Sequence, residues 1–493
     1  MTTDNLVVDD SNGTTNLKNT AAANPKEETI VMPGSSMAII DGVSFSSGDN
    51  WSNWAKTLSA KPERLFYPTT LEDLQVIIRE ATDNKKKVRC VGTGHSWSST
   101  AVTQDYMVSV NGMNQISEPV QGEDGTWTVT IETGVQVSQL DTFLREHSPP
   151  LALTSNVFPS DHGATLTSTI SDMLTEITIV NAFGELHIYS EADDAEAFNV
   201  ACVNLGLLGI IYTATLKVIP MSEYRLRAID TFPSVEEFFH GPDAGAKWKK
   251  KVLENDSTEI FYWPHARFLQ EERNDHFWLK QWQRTVDPVE PLDKYKDHPP
   301  TVDHPGFAEF KVGEIVKEIP DAIHFDINKA GEGPGSLSIL DASAGFKVDD
   351  DFGNFVEAFN ELLDKTWAFA STEFPSRIAT MLEVRFIKAS SKYMSFAFDQ
   401  EPEAIYCMIN VMSMAGTPGF DEFSVDVLTG WMDKYDAKPH WAKMWEHIPG
   451  IYPTLRREYV DRLAVFNRIR KTQDPFDMFL NDTWRPLFEE YEQ

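Results

Sequence analysis

The chain has 493 residues, of which 41% are hydrophobic and 24% are charged, and its formal net charge at pH 7 is −32. This length predicts two or three domains. The sequence contains no run of about 18 apolar residues, so we expect no membrane-spanning helix. The acid excess would repel polyphosphate backbones, so we expect no nucleic-acid partner and no preference for anionic membranes. A solvated surface that aids solubility is the simpler explanation of this charge.

The cysteines and the N-terminus indicate the compartment. Cys90, Cys202 and Cys407 show no C-x-x-C spacing and cannot form a disulfide framework, which is typical of a reducing environment. The N-terminus has neither the basic region nor the apolar segment of a signal peptide. We therefore expect an intracellular protein, cytoplasmic or associated with mitochondria, and we assign no residue to a metal.

The first elements follow a polar segment. Residues 1–48 are rich in Asn, Thr, Asp, Ser and Gly without a sustained period, which predicts an unstructured tail. Thr70 and Asp73 form a capping-box pattern that begins a helix. A short strand over 87–91 then ends directly at the stretch VGTGHSWSS, and a second strand is predicted over 106–110.

Strands dominate the rest of the first half. Four elements are predicted: a strand over 127–131, a helix over 140–144, a hairpin over 177–189 and a strand over 209–218 that ends before Pro220. Mixed helices and strands over 49–222 indicate an α+β domain. The remainder, 223–493, is richer in aromatic residues, and 285–335 has the Pro, Asp, Lys and Gly content of an insertion.

The stretch VGTGHSWSS has the chemistry of an anion-binding turn. Gly92 and Gly94 allow backbone N–H groups to converge on an anion, and the hydroxyls of Ser96 and Ser98 add donors. A dinucleotide fingerprint requires a third glycine where Trp97 stands, and the Gly-Lys-Ser/Thr of a P-loop is missing. The residues alone leave two alternatives open, a phosphate cradle and a plain tight turn.

Several motifs in chain order carry a resemblance to a known family. They are VRCVGTGHSWSST, SDMLTEITIVNAFGEL, NLGLLGIIYTATLKVIP, EVRFIKASSKYMS, KPHWAK and DPFDMFLNDTW. Together they resemble the vanillyl-alcohol-oxidase-type (PCMH) FAD flavoproteins, in the sugar-1,4-lactone oxidase branch. The resemblance implies a two-lobed FAD-binding domain over 49–222 and an α+β substrate domain with a large antiparallel sheet over 223–493. It also implies that a final segment, about 450–493, returns to the FAD domain.

The resemblance implies the residues that bind FAD. They are Gly92, Thr93, Gly94, His95, Ser96, His162, Gly163, Gly206, Gly209, Ile210 and Asn481. His95 stands where the family commonly bonds to the 8α-methyl of the flavin, and no cysteine follows at the spacing of a second attachment. Simpler alternatives are a hydrogen-bonded loop histidine for His95, a buried strand entry for 206–210 and a helix cap for Asn481.

Four residues are candidates for catalysis by the same resemblance. Lys443, in KPHWAK, would place a cation beside the flavin N1–C2=O edge, where negative charge develops. Glu383 and Arg385 alternate along a strand and resemble the pair that orients sugar hydroxyls, although a surface ion pair is the simpler alternative. His440 would assist proton removal or hold Lys443. The implied reaction oxidises the C2 hydroxyl of an aldono-1,4-lactone, with O2 reduced to hydrogen peroxide.

One stretch departs from the family pattern. The family has a glycine-rich segment that ends in Gly-x-His-Gly, whereas here His162 and Gly163 follow Phe158 without the Gly-Gly part. Three consequences are open: a rebuilt shorter loop, a different electron acceptor, or weak FAD binding. The alternatives to a lactone oxidase are therefore a lactone dehydrogenase, an alditol oxidase and a non-catalytic relative. Peripheral membrane association occurs in some relatives, but no motif here indicates it.

Overall fold

The computed structural model describes residues 37–153, 169–223, 225–264, 276–287, 300–302, 310–311, 313–318, 339–369 and 378–489. Within these ranges, helices alternate with three large sheets, which confirms the α+β fold class. Most of the predicted insertion, 285–335, lies outside the described residues.

The first sheet brings the chain to the glycine loop. Its region contains β1 (Met37–Ile40), β2 (Val43–Ser46), β3 (Trp51–Ser52), β4 (Ser59–Ala60), β5 (Arg64–Phe66), α1 (Leu71–Asn84), β6 (Val88–Val91) and β7 (Tyr106–Ser109). Five strands pair in the order β1-β2-β5-β7-β6, and β5, β7 and β6 run parallel. Helix α1 begins at the predicted capping box of Thr70 and Asp73 and buries Leu74, Ile77 and Ile78. The glycine loop therefore starts at the carboxyl end of a parallel strand.

The predicted tail is wrong at its C-terminal end, where residues 37–46 form a hairpin of this sheet. Ile40 pairs with Val43, and Asp41 and Gly42 form the turn with φ of 46° and 93°. Two left-handed residues are what a two-residue hairpin turn requires, and Asp-Gly is a favoured pair there. The polar composition around this segment concealed a short but specific turn signal.

The second sheet is antiparallel. Its region contains β8 (Val120–Gln121), β9 (Trp127–Glu132), α2 (Val137–Glu146), β10 (Leu151–Ala152), β11 (Leu174–Val180), β12 (Leu186–Ser190), α3 (Ala195–Ala201) and β13 (Ile210–Pro220). The strand order is β12-β11-β13-β9-β8, with β10 paired to β13. Val180 pairs with Leu186 around the predicted turn, and β13 ends at Pro220. The predicted helix and strands of this region are confirmed.

The third sheet carries the C-terminal half. Its region contains β14 (Arg225–Thr231), α4 (Val235–Phe239), α5 (Ala244–Leu253), β15 (Ser257–Tyr262), β16 (Trp278–Thr285), β17 (Pro300–Val302), β18 (Phe310–Lys311), β19 (Gly313–Glu318), β20 (Ile339–Lys347), α6 (Gly353–Ala368), β21 (Met381–Lys388), β22 (Ile405–Met414), α7 (Phe420–Tyr435), β23 (Lys438–Pro439), α8 (Ile451–Glu458), α9 (Val460–Gln473) and α10 (Arg485–Phe488). Eight strands pair antiparallel in the order β19-β14-β16-β15-β21-β22-β20-β23.

The two faces of the third sheet differ in chemistry. Arg385 pairs with Glu259, and Asn410 pairs with both Glu383 and Ser343. Residues directly opposed on neighbouring strands share a face, so these polar side chains lie on one side. The alternate positions belong to the main hydrophobic core, with Leu382, Val384, Ala342, Ala344, Ile409 and Val411 buried beside α6 and α7. The paired charged side chains of this sheet, Glu259, Glu383 and Arg385, therefore lie on the face away from α6 and α7.

The C-terminal segment contacts both of the earlier sheets. Val88 N–H donates to the Met478 carbonyl at 2.9 Å, and Ala182 N–H donates to the Gln473 carbonyl at 3.0 Å. These bonds connect residues 473–478 to β6, which leads into the glycine loop, and to the turn between β11 and β12. In the part of the chain that the structure describes, no helix has the length and apolar character needed to cross a bilayer.

Candidate active site

The glycine loop has the geometry of an anion cradle. Gly94 adopts φ +79°, and a Cβ at this position would lie 3.3 Å from the Trp54 nitrogen. Asn53 holds the loop by donating from Nδ2 to the Ser96 carbonyl at 2.9 Å. Among the described residues, the N–H groups of Gly94 and Ser96 have no hydrogen-bond partner. Unpaired donors on a turn that only glycine fits are suited to a diphosphate, so the residues present fit FAD.

His95 is held at the edge of this cradle. Its ring stacks on the indole of Trp54, with 4.8 Å between the ring centroids and 28° between the planes. Trp54 is fixed in turn, because its N–H donates to the Gly94 carbonyl at 2.8 Å. The loop therefore presents a half-buried imidazole of defined orientation directly after the glycine turn.

A buried arginine connects the lobes next to the loop. Arg89 donates to the carbonyls of Leu205 and Gly206 at 2.9 and 2.7 Å, and to the Phe479 carbonyl at 2.8 Å. Burial lowers the pKa of Arg89 to about 10. Leu205 and Gly206 have φ of 56° and 65°, so the arginine clamps a turn of two left-handed residues.

Residues 206–210, predicted to bind FAD or to be a buried strand entry, form the buried entry to β13. A Cβ on Gly209 would lie 2.3 Å from the Val180 carbonyl oxygen, so only glycine permits this approach. Ile210 begins β13 and is buried. The predictions for His162 and Gly163, and for the shortened loop before them, lie outside the described residues.

Asn481 fastens the chain that leaves the glycine loop. Its Nδ2 donates to the carbonyls of Ser99, Thr100 and Val102 at 3.2, 3.1 and 2.9 Å. Its Oδ1 accepts the Trp484 N–H at 3.2 Å, as in a helix cap. The side chain therefore combines the cap with a contact to the turn beyond the cradle.

The glycine loop is bonded directly to the KPHWAK segment. Trp97 N–H donates to the Ala442 carbonyl at 2.7 Å, and the Ser98 hydroxyl donates to the Trp441 carbonyl at 2.6 Å. The Trp97 indole N–H donates to the Ile339 carbonyl at 2.5 Å. These bonds bring the candidate cofactor site and the candidate catalytic residues of the third sheet together.

Lys443 is held by a carboxylate and an indole. Its Nζ lies 2.6 Å from Asp341 Oδ2 and 4.0 Å from the Trp97 ring centroid. Asp341 is buried, and its other oxygen accepts the Ser343 hydroxyl at 2.7 Å. The ammonium is thus fixed by an ion pair and a cation–π contact beside the glycine loop.

His440 is a neutral hydrogen-bond donor at pH 7. Burial, followed by the positive charge of Lys443, lowers the pKa of His440 to about 4. Its Nδ1 accepts the Ala442 N–H at 3.2 Å, so the remaining ring proton is assigned to Nε2. His440 N–H donates to the Ser343 carbonyl at 3.0 Å, which attaches the segment to β20. A group with this pKa and tautomer donates a hydrogen bond and is a weak proton acceptor.

Glu383 and Arg385 form a buried pair, and the alternative of a surface ion pair is wrong for the carboxylate. Glu383 is 4% exposed, and its oxygens accept Arg385 Nε at 2.6 Å and Asn410 Nδ2 at 3.1 Å. Burial lowers the pKa of Arg385, but the carboxylates of Glu383 and Glu259 outweigh it, so the net shift is upward. The Arg385 side chain is 38% exposed and is the accessible member of the pair.

Sequence reasoning missed several residues of this site. They are Trp97 as a platform, the buried residues Asp341, Glu259 and Lys280, and the half-buried Asn410. A usable signal existed for Asp341, Asn410 and Glu259, because each is a single charged or amide side chain within a mainly apolar stretch, LDASAG, MINVM and TEIFY. Lys280, in WLKQW, stands beside Gln281 and gives a weaker signal. Buried polar groups need partners, so such positions predict a polar network.

Comparisons with known proteins indicate the class to which this sequence is similar. A family model described as an FAD binding domain matches residues 62–190, and one described as D-arabinono-1,4-lactone oxidase matches residues 350–487. L-gulonolactone oxidase of Bos taurus is 26% identical over 90% of this chain and 98% of its own length. L-gulono-1,4-lactone dehydrogenase of Mycobacterium tuberculosis is 26% identical over 88% of this chain and 98% of its own length.

A solved structure has a similar fold. Cholesterol oxidase from B. sterolicum superposes with a TM-score of 0.71 at 17% identity, covering 91% of this chain and 98% of that chain. At this identity the match shows the fold alone, which is the two-lobed PCMH-type FAD domain with an α+β substrate domain.

Fold and site therefore define an FAD-dependent oxidoreductase. The two family models together match more than half of the chain, one in each domain. In sequence and fold the chain is similar to the vanillyl-alcohol-oxidase-type FAD flavoproteins, in the sugar-1,4-lactone oxidase branch.

Proposed function

We propose that the protein oxidises the C2 hydroxyl of an aldono-1,4-lactone to an ascorbate-type ene-diol lactone. The observation that carries the proposal is the bonding of the glycine loop to the Lys443 segment, with Arg385 on the same face of the sheet as Lys443's partner Asp341. Both named relatives that match along their full length act on a gulonolactone. A polyhydroxyl substrate suits an accessible guanidinium held beside carboxylates.

The residues have separate roles in this proposal. FAD, when bound, would supply the two-electron oxidant for the C2–H bond, while the C2 hydroxyl proton would leave to solvent water and the resulting 2-keto lactone would enolise to the ene-diol. Lys443 supplies a fixed cation where negative charge develops. Arg385 binds the oxygen atoms of the substrate, and Glu383 fixes the direction of its guanidinium. His440 donates from Nε2, because Nδ1 is occupied by the Ala442 N–H.

We infer that the N–H groups of Gly94 and Ser96 bind the diphosphate of FAD. Asn481 holds the chain that leaves this turn, and Arg89, on the strand that leads into it, holds the carbonyl groups of Leu205 and Gly206. His95 forms the single covalent bond to the flavin. The stack on Trp54 supports this role, because it fixes the imidazole next to the cradle.

Oxygen is the proposed electron acceptor, with hydrogen peroxide as the product. A lactone dehydrogenase is the second candidate, favoured by the match to a dehydrogenase at the same identity as the match to the oxidase. The two candidates share every residue discussed so far and differ only in how reduced flavin is reoxidised.

The test identifies the substrate class first and the electron acceptor second. Purified protein is mixed anaerobically with a panel of aldono-1,4-lactones and with alditols, and flavin bleaching is followed by stopped flow. We expect bleaching with at least one lactone; bleaching by alditols alone would replace the substrate class. Air or a dye is then admitted, and hydrogen peroxide is assayed. Rapid reoxidation with peroxide supports the oxidase, whereas reoxidation by the dye only supports the dehydrogenase. Protein without flavin would overturn both.

A further inference from the structure

A second buried ion pair lies on the polar face of the third sheet. Glu259 on β15 and Lys280 on β16 are opposed residues, and each is only 2% exposed. Lys280 Nζ lies 3.2 Å from Glu259 Oε2. Such a pair is expensive to desolvate and a weak source of stability, so its presence calls for another explanation.

Aromatic rings surround the ammonium. Lys280 Nζ lies 5.2, 5.8 and 6.0 Å from the ring centroids of Trp282, Trp278 and Phe261. Ring faces attract a cation, so the three rings hold the Lys280 side chain beside its carboxylate partner. The three rings also restrict the position of the ammonium, so Lys280 holds Glu259 in a defined orientation.

The other oxygen of Glu259 is directed at the site described above. Glu259 Oε1 lies 3.8 Å from Arg385 Nε, and Glu383 Oε1 lies 2.6 Å from the same nitrogen. One guanidinium therefore lies between two buried carboxylates and can neutralise only one of them. Lys280 supplies the charge that balances the other.

We propose that Lys280 and Glu259 form a positioning pair that fixes the guanidinium of Arg385 toward the substrate and keeps the substrate pocket electrically neutral. The proposal rests on the proposed function, since it concerns how that site receives its substrate. Neither residue touches the substrate, because both are buried behind Arg385.

Neutrality has a consequence for the substrate. Lys280, Arg385 and Lys443 carry three positive charges, and Glu259, Glu383 and Asp341 carry three negative ones. Among the residues that the structure describes at this site, the balance leaves no excess cation for an ionised carboxylate. It therefore favours the ring-closed lactone, which is uncharged, over the aldonate that forms when the lactone hydrolyses.

The experiment changes the net charge of the site by one elementary charge, negative in one variant and positive in another. The variants are K280M, E259Q and the double variant K280M/E259Q, with K280R as the conservative change. K388M is the matched control, because Lys388 pairs with Glu403 on the exposed end of β21. Each flavin-loaded protein is assayed for kcat/KM with the lactone, and aldonate binding is measured separately by titration calorimetry.

We expect K280M to lower kcat/KM at least about tenfold, since it leaves Glu259 with an unbalanced charge beneath Arg385. K280M/E259Q should recover most of that loss, K280R should be near wild type, and K388M should be unchanged. E259Q adds a net positive charge and should strengthen aldonate binding about tenfold.

The proposal would be overturned if K280M/E259Q had a kcat/KM as low as that of K280M. It would also be overturned if E259Q bound the aldonate no more tightly than wild type. If K280M does not accumulate with flavin, the isosteric E259Q decides through its binding measurement alone. Failure of the proposed function is distinguishable, because in that case the wild-type flavin is not reduced by any lactone.

Discussion

Lys443 Nζ lies 4.0 Å from the centroid of the Trp97 indole ring. Trp97 stands where a dinucleotide fingerprint would have its third glycine, and Lys443 ends the KPHWAK segment far away in the chain. The contact connects the cofactor loop to the candidate catalytic cation. The departure from the glycine pattern therefore has a structural role, because the indole provides the surface on which the ammonium is held.

Replacement of Lys443 by Met should slow anaerobic flavin reduction by the lactone. A lost charge-stabilising donor is worth about 3–4 kcal/mol, so we expect a decrease of about 100- to 1000-fold in the reduction rate. The same change leaves the buried carboxylate of Asp341 without its partner at 2.6 Å. The free energy of unfolding should therefore also fall, by about 3–5 kcal/mol. Stopped-flow absorbance and chemical denaturation measure the two effects.

The double variant K443M/D341N separates catalysis from stability. It removes both charges, so most of the unfolding free energy should return while flavin reduction stays slow. Recovery of the rate together with stability would mean that Lys443 acts only through the fold.

Replacement of His95 by Ala should abolish covalent flavin. The protein is precipitated with acid, and the gel band is scanned for flavin fluorescence. We expect a fluorescent band for the wild type and a dark band for H95A, with some flavin retained non-covalently before precipitation. H240A is the control, since His240 is an exposed histidine directly after α4 that pairs with Glu236. A band that stays fluorescent in H95A would contradict the assignment.

Local signals in the sequence were sufficient for most elements of the FAD domain. The capping box at Thr70, the alternation over β9 and the turn at 181–184 all depend on neighbouring residues, and the structure reproduces them. The hairpin at 37–46 was missed because its Asp-Gly turn lies within a polar segment. The large third sheet followed from the resemblance alone, since its strand order connects residues distant in the chain.

The residues of the candidate site that belong to a sequence motif were predictable. Those that belong to it only through a contact in the folded chain were not. Glu383, Arg385 and Lys443 stand in recognisable motifs, whereas Asp341 and Glu259 matter because sheet pairing brings them to those residues. Cross-strand register is a long-range property and leaves only an isolated polar residue in an apolar strand as its trace.

Substitutions at Asn481 test whether its side chain acts only as a helix cap or also supports the chain that follows the glycine loop. Asp and Asn cap helices about equally well, so a pure cap would tolerate N481D. The structure instead directs Nδ2 at three carbonyl oxygens, those of Ser99, Thr100 and Val102. A carboxylate facing three acceptors is repelled, so N481D should lose more flavin and more thermal stability than N481A. Flavin content after gel filtration and the melting temperature are measured for wild type and both variants. If N481D equals wild type in both quantities, Asn481 acts as a helix cap alone.

Replacement of Glu383 by Gln should damage turnover more than stability. The change keeps one acceptor for Arg385 but removes the charge that fixes the guanidinium, so we expect kcat/KM to fall about 100-fold. The melting temperature should fall by only a few degrees, because the shape is retained. E403Q is the matched control, as Glu403 pairs with Lys388 at 2.7 Å on the surface and should change neither quantity. A large loss of melting temperature with little loss of turnover would make Glu383 a structural residue.

His440 should make stability sensitive to pH on the acid side of neutrality. Burial lowers its folded-state pKa to about 4, whereas the unfolded chain titrates near its ordinary value of about 6.5. Above pH 6.5 both states are neutral and the group contributes nothing. As pH falls through the window from about 6.5 to 4, only the unfolded state gains the proton, so the folded state loses stability.

The effect of His440 can be isolated from the other eleven of the chain's 12 histidines by comparison with H440N. The difference in free energy of unfolding between wild type and H440N is measured by denaturation at pH 7.5 and at pH 4.5. We expect H440N to lose less stability on acidification, by about 2 kcal/mol, since it has no proton to gain in the unfolded state. Equal losses in the two proteins would show that the pKa of His440 is the same in the folded and unfolded states, in which case its neutral ring could accept the substrate proton instead of donating a hydrogen bond.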